Sequence, residues 1–585
     1  MGTNNRLTPD GTSDRLFLEC AAETEIAGRL GAVFEEDGYR KVRTPGLEFL
    51  SVFAPSASYY PPEEMYKLTD SEGRLIAVRP DSTIPIARLV ATKLKGAELP
   101  HRIYYAQSVY RRQPEHKGRD SEVMQMGVEL IGEAGFSADV DMIDLAVRSL
   151  AAAYGGRFRI EIGHVGLYKR LMERLGADED VRGRIHRYIE SKNYSALEDA
   201  LVGSGDRETA GLLLRLPGLF GGADALAGAA AVFDGYDDAV SEMLGYLASV
   251  MEELASRGCA DNVMIDLGLV NQAEYYSSLV FRGYGESVGE PLLSGGRYDE
   301  LFCDFGEDMP ATGFAVNVDL LVEAAVEAKG DDSCVLQAGA QGDGSSVLLS
   351  RPLRIALTKG RLEDDFLALM EGAGYDMGPL REKGRKLIVR IPGPGEAAGE
   401  APGGAAGEAM GGAIDEAPDS AEEGAVEIFL AKAPDVVTCV EQGVCDVGIV
   451  GKDTLLEQGG TYYEIMDLGL GKCRFALAAP SGGAVAKGAA PRVVASKYPQ
   501  YAGRWFERRG LDVRIIRIEG SVEIAPLLGL ADSVVDIVET GTTLRENGLE
   551  VVEYIRDISA RLIVNVTGMK LRKSEVEALA ARLAP

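Results

Sequence analysis

Basic residues are scarce in this sequence: 61 Lys and Arg stand against 91 Asp and Glu, for a formal net charge of −30. Affinity for a phosphate backbone comes from clustered Lys and Arg, so the balance argues against a nucleic-acid-binding protein. A small anionic substrate remains compatible, because a few cations and backbone N–H groups can converge locally. Cysteine is sparse too. The seven residues, Cys20, Cys259, Cys303, Cys334, Cys439, Cys445 and Cys473, are scattered, odd in number and form no Cys-x-x-Cys pair, which excludes a disulfide framework or a zinc knuckle and reads as reduced and metal-free. The first fourteen residues, MGTNNRLTPDGTSD, contain no apolar signal core. No apolar run approaches the roughly 20 residues that span a bilayer. The expected location is the cytoplasm, with no membrane partner.

The remaining composition is that of a folded protein, 46% hydrophobic and 26% charged. A chain of 585 residues exceeds one core and divides into several domains of roughly 100–200 residues. From Asp14 to about Ala325 amphipathic helical stretches such as Leu16–Phe34 mix with alternating strands such as Arg102–Tyr110. Residues 326–350 then turn rich in Gly, Ser and Asp without a sustained period, as an interdomain linker does. The strand-like LRIALTKG (353–360) opens a region of alternating strand and helix signals, which favours α/β architecture with mostly parallel sheets. One segment interrupts it. Residues 392–424 are nearly all Gly, Ala, Pro and acid, and cannot bury enough apolar surface to offset their ordering entropy. A disordered acidic surface insertion is expected there.

The run Val534-Val535-Asp536-Ile537-Val538-Glu539 reads as a buried strand ending in acids, followed by Thr540-Gly541-Thr542-Thr543 and the helix-like LREN. Small residues there let N–H groups and hydroxyls wrap a phosphate at a helix N-terminus, where the macrodipole supplies about half a positive charge. Acids just before such a loop can bind two ribose hydroxyls. Strand, acids and Thr-Gly-x-Thr in this order resemble the phosphoribosyl-pyrophosphate loop of many phosphoribosyltransferases. RIALTKGRL (354–362), GRKLIV (384–389), CDVGIVGKDTLLE (445–457), MDLGLGKCRFALAAP (466–480), KYP (497–499), residues 519–549 and ISARLIVN (558–565) follow in order. Together they resemble ATP phosphoribosyltransferase, the first enzyme of histidine biosynthesis, over 353–585.

That resemblance implies a two-lobed α/β fold, like a periplasmic binding protein, whose chain crosses twice between lobes. Lobe I would be 353–457 with 551–585 and lobe II 458–550, with 326–352 the linker in front. Asp536 and Glu539 would hold the ribose of phosphoribosyl pyrophosphate, and Thr540, Gly541, Thr542 and Thr543 its 5-phosphate. Lys359, Gly360 and Arg361 would face pyrophosphate and ATP, and Arg385 would add a second guanidinium. Charge builds on departing pyrophosphate, so cations aimed at it stabilise the transition state more than the ground state. Mg²⁺ would arrive with both substrates, held by no protein side chain. Adenine N1 carries a lone pair, so no strong protein base is required. The chain ends soon after ISARLIVN, where long forms add a histidine-binding domain, which implies the short form that depends on a separate regulator.

In the first half, residues 102–132 with VRPDSTIPIARL (78–89), DLGLVNQAEYY (266–276) and LLSGGRYDEL (292–301) resemble the histidyl-tRNA synthetase core. They resemble still more its paralogue, the regulatory subunit of ATP phosphoribosyltransferase. The implied fold for 1–325 is an α+β, class II synthetase-like antiparallel sheet flanked by helices. Strand periodicity puts Gln125, Gly127 and Glu129 on one face of VMQMGVEL and Met126, Val128 and Leu130 on the other. That polar face with a glycine gap suits an amino-acid ligand. By resemblance Asp81, Thr83, Arg111 and Gln125 would meet the amino and carboxylate groups of histidine, and Glu129 with Tyr276 its imidazole. Where synthetases carry Phe-Arg-x-Glu this chain has Tyr110-Arg111-Arg112-Gln113. Where they carry Arg-Gly-Leu-Asp-Tyr-Tyr it has Asn271-Gln272-Ala273-Glu274-Tyr275-Tyr276, and Leu320 replaces their last arginine. Adenylate formation should then be very slow. GGRYD (295–299) is expected to be scaffolding.

The favoured function is an ATP phosphoribosyltransferase fused to its regulator and inhibited by histidine; analogy with the separate subunits implies a symmetric homo-oligomer such as a tetramer or octamer. A small-ligand binding or signalling module would not need Asp536, Glu539 and the threonine loop together. A working synthetase would need the missing arginines.

Overall fold

The computed structural model describes residues 8–54, 64–112, 120–190, 194–201, 205–270, 276–286, 288–327, 351–394 and 424–584. The chain divides into two compact units, Met1–Leu336 and Gln337–Pro585. Most of the expected linker lies outside the described residues, as does nearly all of the acidic insertion.

The first unit is built on a nine-stranded sheet. Its central strands, in spatial order His101–Tyr110, Glu122–Ile131, Ala311–Asn317, Leu293–Arg297, Leu279–Gly285 and Phe158–His164, are all antiparallel. Alternation decides the two faces. Tyr104, Met126, Val128, Leu130, Phe281, Phe314 and Val316 point to one side and pack with residues of the helices Phe17–Glu36, Phe136–Ala153 and Asp238–Ser256. Phe17–Glu36 shows why a helix forms there: Ala22, Ile26, Leu30 and Phe34 recur every four residues and are all buried. The opposite face carries Ile103, Tyr105, Ile131 and Val280, which pack with residues of the helix Thr83–Lys93. Polar groups and glycines share this face, and it holds the first candidate site.

The second unit contains two mixed sheets. The first has strand order Ile388–Ile391, Val426–Ala431, Leu353–Thr358, Val447–Gly451, Ala560–Val564, Tyr463–Asp467, and the second Arg514–Arg517, Val493–Ser496, Ser533–Val538, Cys473–Pro480, Leu549–Ile558. Parallel pairs occupy the middle of the first sheet and one side of the second, while the strands that carry the chain between sheets pair antiparallel. The expectation of mostly parallel sheets is corrected accordingly: a strand returning from another lobe enters against the βα direction. The lobe limits shift for the same reason. Tyr463–Asp467, expected in lobe II, pairs with Ala560–Val564 in the first sheet, and Leu549–Ile558, whose larger part was expected in lobe I, is an edge of the second. The chain crosses between Asp467 and Cys473 and again at Ser559. The two crossings are bonded to each other, Leu468 N–H to the Ala560 carbonyl at 3.0 Å and Ala560 N–H to the Leu470 carbonyl at 2.9 Å.

Residues flanking the acidic insertion are direct neighbours in an antiparallel pair, Ile391 opposite Val426. The insertion is therefore carried by a hairpin whose ends the sheet already holds together. Among the described residues no helix is long and apolar enough to cross a membrane.

Candidate functional site

In the first unit the site is organised around Glu129, which is 2% exposed. Its carboxyl accepts the Thr83 hydroxyl at 2.9 Å on one oxygen and the Tyr298 hydroxyl on the other. Burial pushes the Glu129 carboxyl up to about 8, a rise opposed by these two hydrogen bonds and reinforced by the charge of Asp81. The carboxyl lies over Gly313 of the neighbouring strand, and a Cβ there would collide with it. Gly127 plays the same part for Tyr105, whose hydroxyl stands 2.5 Å from where a Cβ would be. The gap expected at Gly127 is thus filled by a phenol, because the residue paired with it across the sheet is the large Tyr105. Burial and the charge of Glu129 raise Tyr105 and Tyr298 well above the ordinary phenol value, with Asp81 adding to the rise at Tyr105.

The other expected ligand residues gather around this centre in different ways. Asp81 is buried, and its carboxylate accepts Ile84 N–H at 2.9 Å at the start of the helix Thr83–Lys93. Arg111 Nε donates to the Pro80 carbonyl at 2.7 Å. Gln125 is half-buried, with Gln107 and Asn317 opposite it on the two adjacent strands. The Tyr276 ring lies against Gly296, 2.8 Å from a Cβ position there. Thr83, expected at the amino or carboxylate group of a ligand, binds Glu129 directly. Sequence reasoning missed Tyr105 and Tyr298. Tyr298 had a signal, since it belongs to the retained GGRYD run. Arg297 of that run does form a buried ion pair with Asp139 at 2.6 Å, and Asp139 also accepts the Tyr246 hydroxyl. Of the departures from the synthetase pattern, Gln113 and residues 271–275 lie outside the described residues. Leu320 packs on the helical core, while its neighbour Asp319 accepts Met124 N–H at 2.9 Å and pairs with Arg15 at 2.8 Å.

In the second unit, Lys359 and Gly360 follow the central strand Leu353–Thr358 of the first sheet. Lys359 is exposed, its N–H bonded to the Ala431 carbonyl at 2.9 Å. Gly360 takes φ +100°, a conformation disfavoured by any side chain, and Arg361 opens the helix Arg361–Gly372. Arg385 is exposed shortly before the strand Ile388–Ile391. Lys383, close to Arg385 in sequence, is paired with Glu363.

The strand Ser533–Val538 brings Asp536 to the end of the second sheet. Burial pushes the Asp536 carboxyl up to about 6; Glu523 and Asp453 add to the rise, while Ile537 N–H, bonded at 2.8 Å, and Lys497 oppose it. Glu539, Thr540, Thr542 and Thr543 are exposed. Gly541 is left-handed at φ +71°, which turns the chain into the helix Thr542–Glu546. The Thr540 and Thr542 hydroxyls are 3.1 Å apart, and Arg545 donates to the Thr542 hydroxyl at 3.3 Å. This helix has five residues, so its dipole is far weaker than the half charge expected from the sequence; the loop's own N–H groups and Arg545 are the positive groups at hand. The strand Val447–Gly451 runs parallel to Leu353–Thr358, so Asp453, just beyond it, lies at the sheet edge that carries Lys359. Asp453 is also among the charges felt by Asp536. Both loops therefore belong to the region where the two lobes face each other, at the carboxyl ends of strands.

A family model for histidyl-tRNA synthetase matches residues 11–321, and one for ATP phosphoribosyltransferase matches residues 432–585. The ATP phosphoribosyltransferase regulatory subunit of Clostridium kluyveri is 37% identical over 327 residues, 55% of this chain and 83% of that protein. That of Bacillus mycoides is 37% identical over 326 residues, 55% of this chain and 76% of that protein. A solved structure from Bacillus halodurans, described as an ATP phosphoribosyltransferase regulatory subunit/histidyl-tRNA synthetase, aligns with a TM-score of 0.51 at 32% identity, covering 64% of this chain and 90% of that one. The transferase match begins beyond the acidic insertion, yet Leu353–Thr358 lies between two strands of which one, Val447–Gly451, falls inside the match. A binding module without transfer activity is not favoured by a match to a transferase family. The chain belongs to the ATP phosphoribosyltransferase regulatory subunit family through its synthetase-like first unit, and with the transferase domain behind it in the same polypeptide it is an ATP phosphoribosyltransferase that carries its own regulatory part.

Proposed function

We propose that the loop after Asp536 grips phosphoribosyl pyrophosphate and that the Glu129 site senses histidine to inhibit the transfer. Asp536 and Glu539 take the ribose hydroxyls, and Thr540, Gly541, Thr542 and Thr543 surround the 5-phosphate. Lys359, Arg361 and Arg385 meet the pyrophosphate and the ATP phosphates. The N1 lone pair of adenine forms the bond to ribose C1 as the C1–O bond to pyrophosphate breaks, and the electron pair leaves with pyrophosphate. The protein's share is orientation and stabilisation of the charge on the leaving group. Among the described residues no group of three or more His, Cys, Asp or Glu is arranged to hold a metal ion. Mg²⁺ is assigned to the phosphates of the two substrates, where it would share the charge on the leaving pyrophosphate.

The observation that carries the transferase reading is the juxtaposition of a half-buried Asp536 with a left-handed Gly541 and two threonine hydroxyls 3.1 Å apart. A pyrophosphate-release assay tests it. The Thr540→Ala/Thr543→Ala double variant should raise KM for phosphoribosyl pyrophosphate by about ten-fold or more, since several charge-assisted hydrogen bonds of roughly 1.5–3 kcal/mol are at stake. Parent-like turnover at low sugar-phosphate concentration would sink this assignment.

For the regulatory part, the buried carboxyl of Glu129 beside Tyr105 and Tyr298 supplies an acceptor for an imidazole N–H in a site shielded from water. Glu129→Ala should weaken histidine inhibition and leave uninhibited turnover near the parent's. Coupling between such sites is typically about 1–3 kcal/mol. Assembly as a homo-oligomer in the cytoplasm belongs to the same proposal, and light scattering with and without histidine measures it.

A further inference from the structure

Away from their crossing strands, the lobes of the transferase unit meet through the helix Lys452–Gln458 of the first and the helix Pro499–Glu507 of the second. The second of these lacks a cap of its own: Pro499 opens it, and the residue before, Tyr498, makes no side-chain capping bond. Helix starts leave N–H groups without intrahelical partners. Here the two that follow Pro499 are satisfied from the other lobe. Glu457 accepts Gln500 N–H at 3.1 Å on one carboxylate oxygen and Tyr501 N–H at 3.0 Å on the other. Four residues earlier, on the same helix face, Asp453 accepts the Tyr498 hydroxyl at 2.8 Å. Arg504 donates back to the Leu456 carbonyl.

This contact leads to the proposed substrate loop. Tyr498 N–H donates to the Ser496 hydroxyl at 2.9 Å, and that hydroxyl donates to the Val535 carbonyl at 2.6 Å, next to Asp536. The Tyr498 ring packs edge-on against Phe475 at 5.0 Å, so the hydroxyl that meets Asp453 is held by the core of the second lobe. On the other side, the strand leading to Glu457's helix runs parallel to the one leading to Lys359.

We infer that Glu457, seconded by Asp453, is a positioning residue of the transfer reaction: by capping a helix of the opposite lobe it sets the Asp536 strand in register with the strand ends that carry Lys359. The role rests on reading the Asp536 loop as the sugar-phosphate grip. In that reading the ribose and 5-phosphate are gripped within the second lobe, so sugar-phosphate binding depends little on this contact. Transfer needs the cations of the first lobe aligned with that sugar phosphate and cannot tolerate a shift, because a displacement of about 1 Å costs up to about 100-fold in rate. The signature is therefore a loss in kcat with KM spared.

Steady-state kinetics on the full chain provide the test. Glu457→Ala should lower kcat by about ten-fold or more and change KM for phosphoribosyl pyrophosphate by less than about two-fold. Glu457→Gln keeps the length and one acceptor oxygen but turns an NH2 toward the second N–H, and should recover part of the loss. Tyr498→Phe, which leaves the ring packing in place, should lower kcat in the same direction. A kcat within about two-fold of the parent in Glu457→Ala, a loss confined to KM, or no recovery with Gln overturns the inference. If Glu457→Ala does not fold by circular dichroism, Tyr498→Phe decides, and an unchanged kcat there overturns it. The Thr540→Ala/Thr543→Ala variant separates the two ideas. An unaffected loop variant rejects the loop assignment, and with it the positioning role that rests on it; a loop variant with raised KM beside a Glu457→Ala of unchanged kcat keeps the loop assignment and overturns the positioning role.

Discussion

Glu129 should cost the first unit stability in proportion to pH, and replacing it by glutamine should reveal how much. Its carboxyl is fully buried and pushed from an ordinary 4.5 up to about 8. Between those values the folded state holds a proton that the unfolded state has released. The stability this group contributes is therefore complete below 4.5 and lost as pH rises through about 8. At 1.36 kcal/mol per pH unit the whole window is worth about 5 kcal/mol, of which about 3 kcal/mol has gone by pH 7. Glu129→Gln keeps the shape and an acceptor for Thr83 but cannot ionise. Relative to the parent it should match at pH 5 to within about 1 kcal/mol and gain up to about 3 kcal/mol at pH 7. Hydrogen exchange in the strand Glu122–Ile131 reads the first unit directly. Fluorescence of Trp505, the only tryptophan in the chain, reads the second unit, which should not respond. A variant-minus-parent difference that stays flat from pH 5 to pH 8 would refute the reasoning, because it would mean that Glu129 is not held protonated by burial. The same substitution should weaken histidine inhibition, so the residue would trade stability for sensing.

Three further outcomes are expected. Asp536 is pushed up to about 6 and accepts ribose hydroxyls most strongly, and on both oxygens, when ionised, so kcat/KM for phosphoribosyl pyrophosphate should fall by up to about ten-fold per pH unit below that value. Asp536→Asn should remove this acid limb, and a limb unchanged in the variant would assign it to another group. Arg297→Ala leaves Asp139 buried without its guanidinium and should destabilise the first unit by about 3–5 kcal/mol by hydrogen exchange; a loss under about 1 kcal/mol would show that the pair is dispensable. Replacing residues 395–423 by a short Gly-Ser turn should leave turnover within about two-fold, because the flanking strands already pair at Ile391 and Val426 and loop closure depends only weakly on length. A large loss of activity would assign the insertion a part in the reaction.

Much was readable from local pattern because the physics is local. Alternation along VMQMGVEL assigns Met126, Val128 and Leu130 to the core and Glu129 to the opposite face, since successive strand side chains point to opposite sides. A four-residue apolar period marks Phe17–Glu36. The run from Asp536 through Thr543 announces a strand, a left-handed turn and a helix start, and Gly541 stands where the chain needs φ +71°. The scarcity of bases, the sparse cysteines and the order of motifs restrict the chemistry without any knowledge of the fold.

What sequence order could not reveal was the identity of neighbours distant along the chain. Tyr298 and Glu129 lie 169 residues apart, and nothing near Glu129 says that a phenol from the GGRYD run will meet it or that Tyr105 will fill the space above Gly127. The crossing strands Tyr463–Asp467 and Leu549–Ile558 have similar strand signals, and their membership in one sheet or the other follows from backbone pairing that only the folded chain selects. The short helix after Gly541, the acid of one lobe capping a helix of the other, and the burial that raises Glu129 and Asp536 are of the same kind. Each depends on how much water is removed and which charge stands opposite, and those quantities exist only once the distant parts of the chain have packed together.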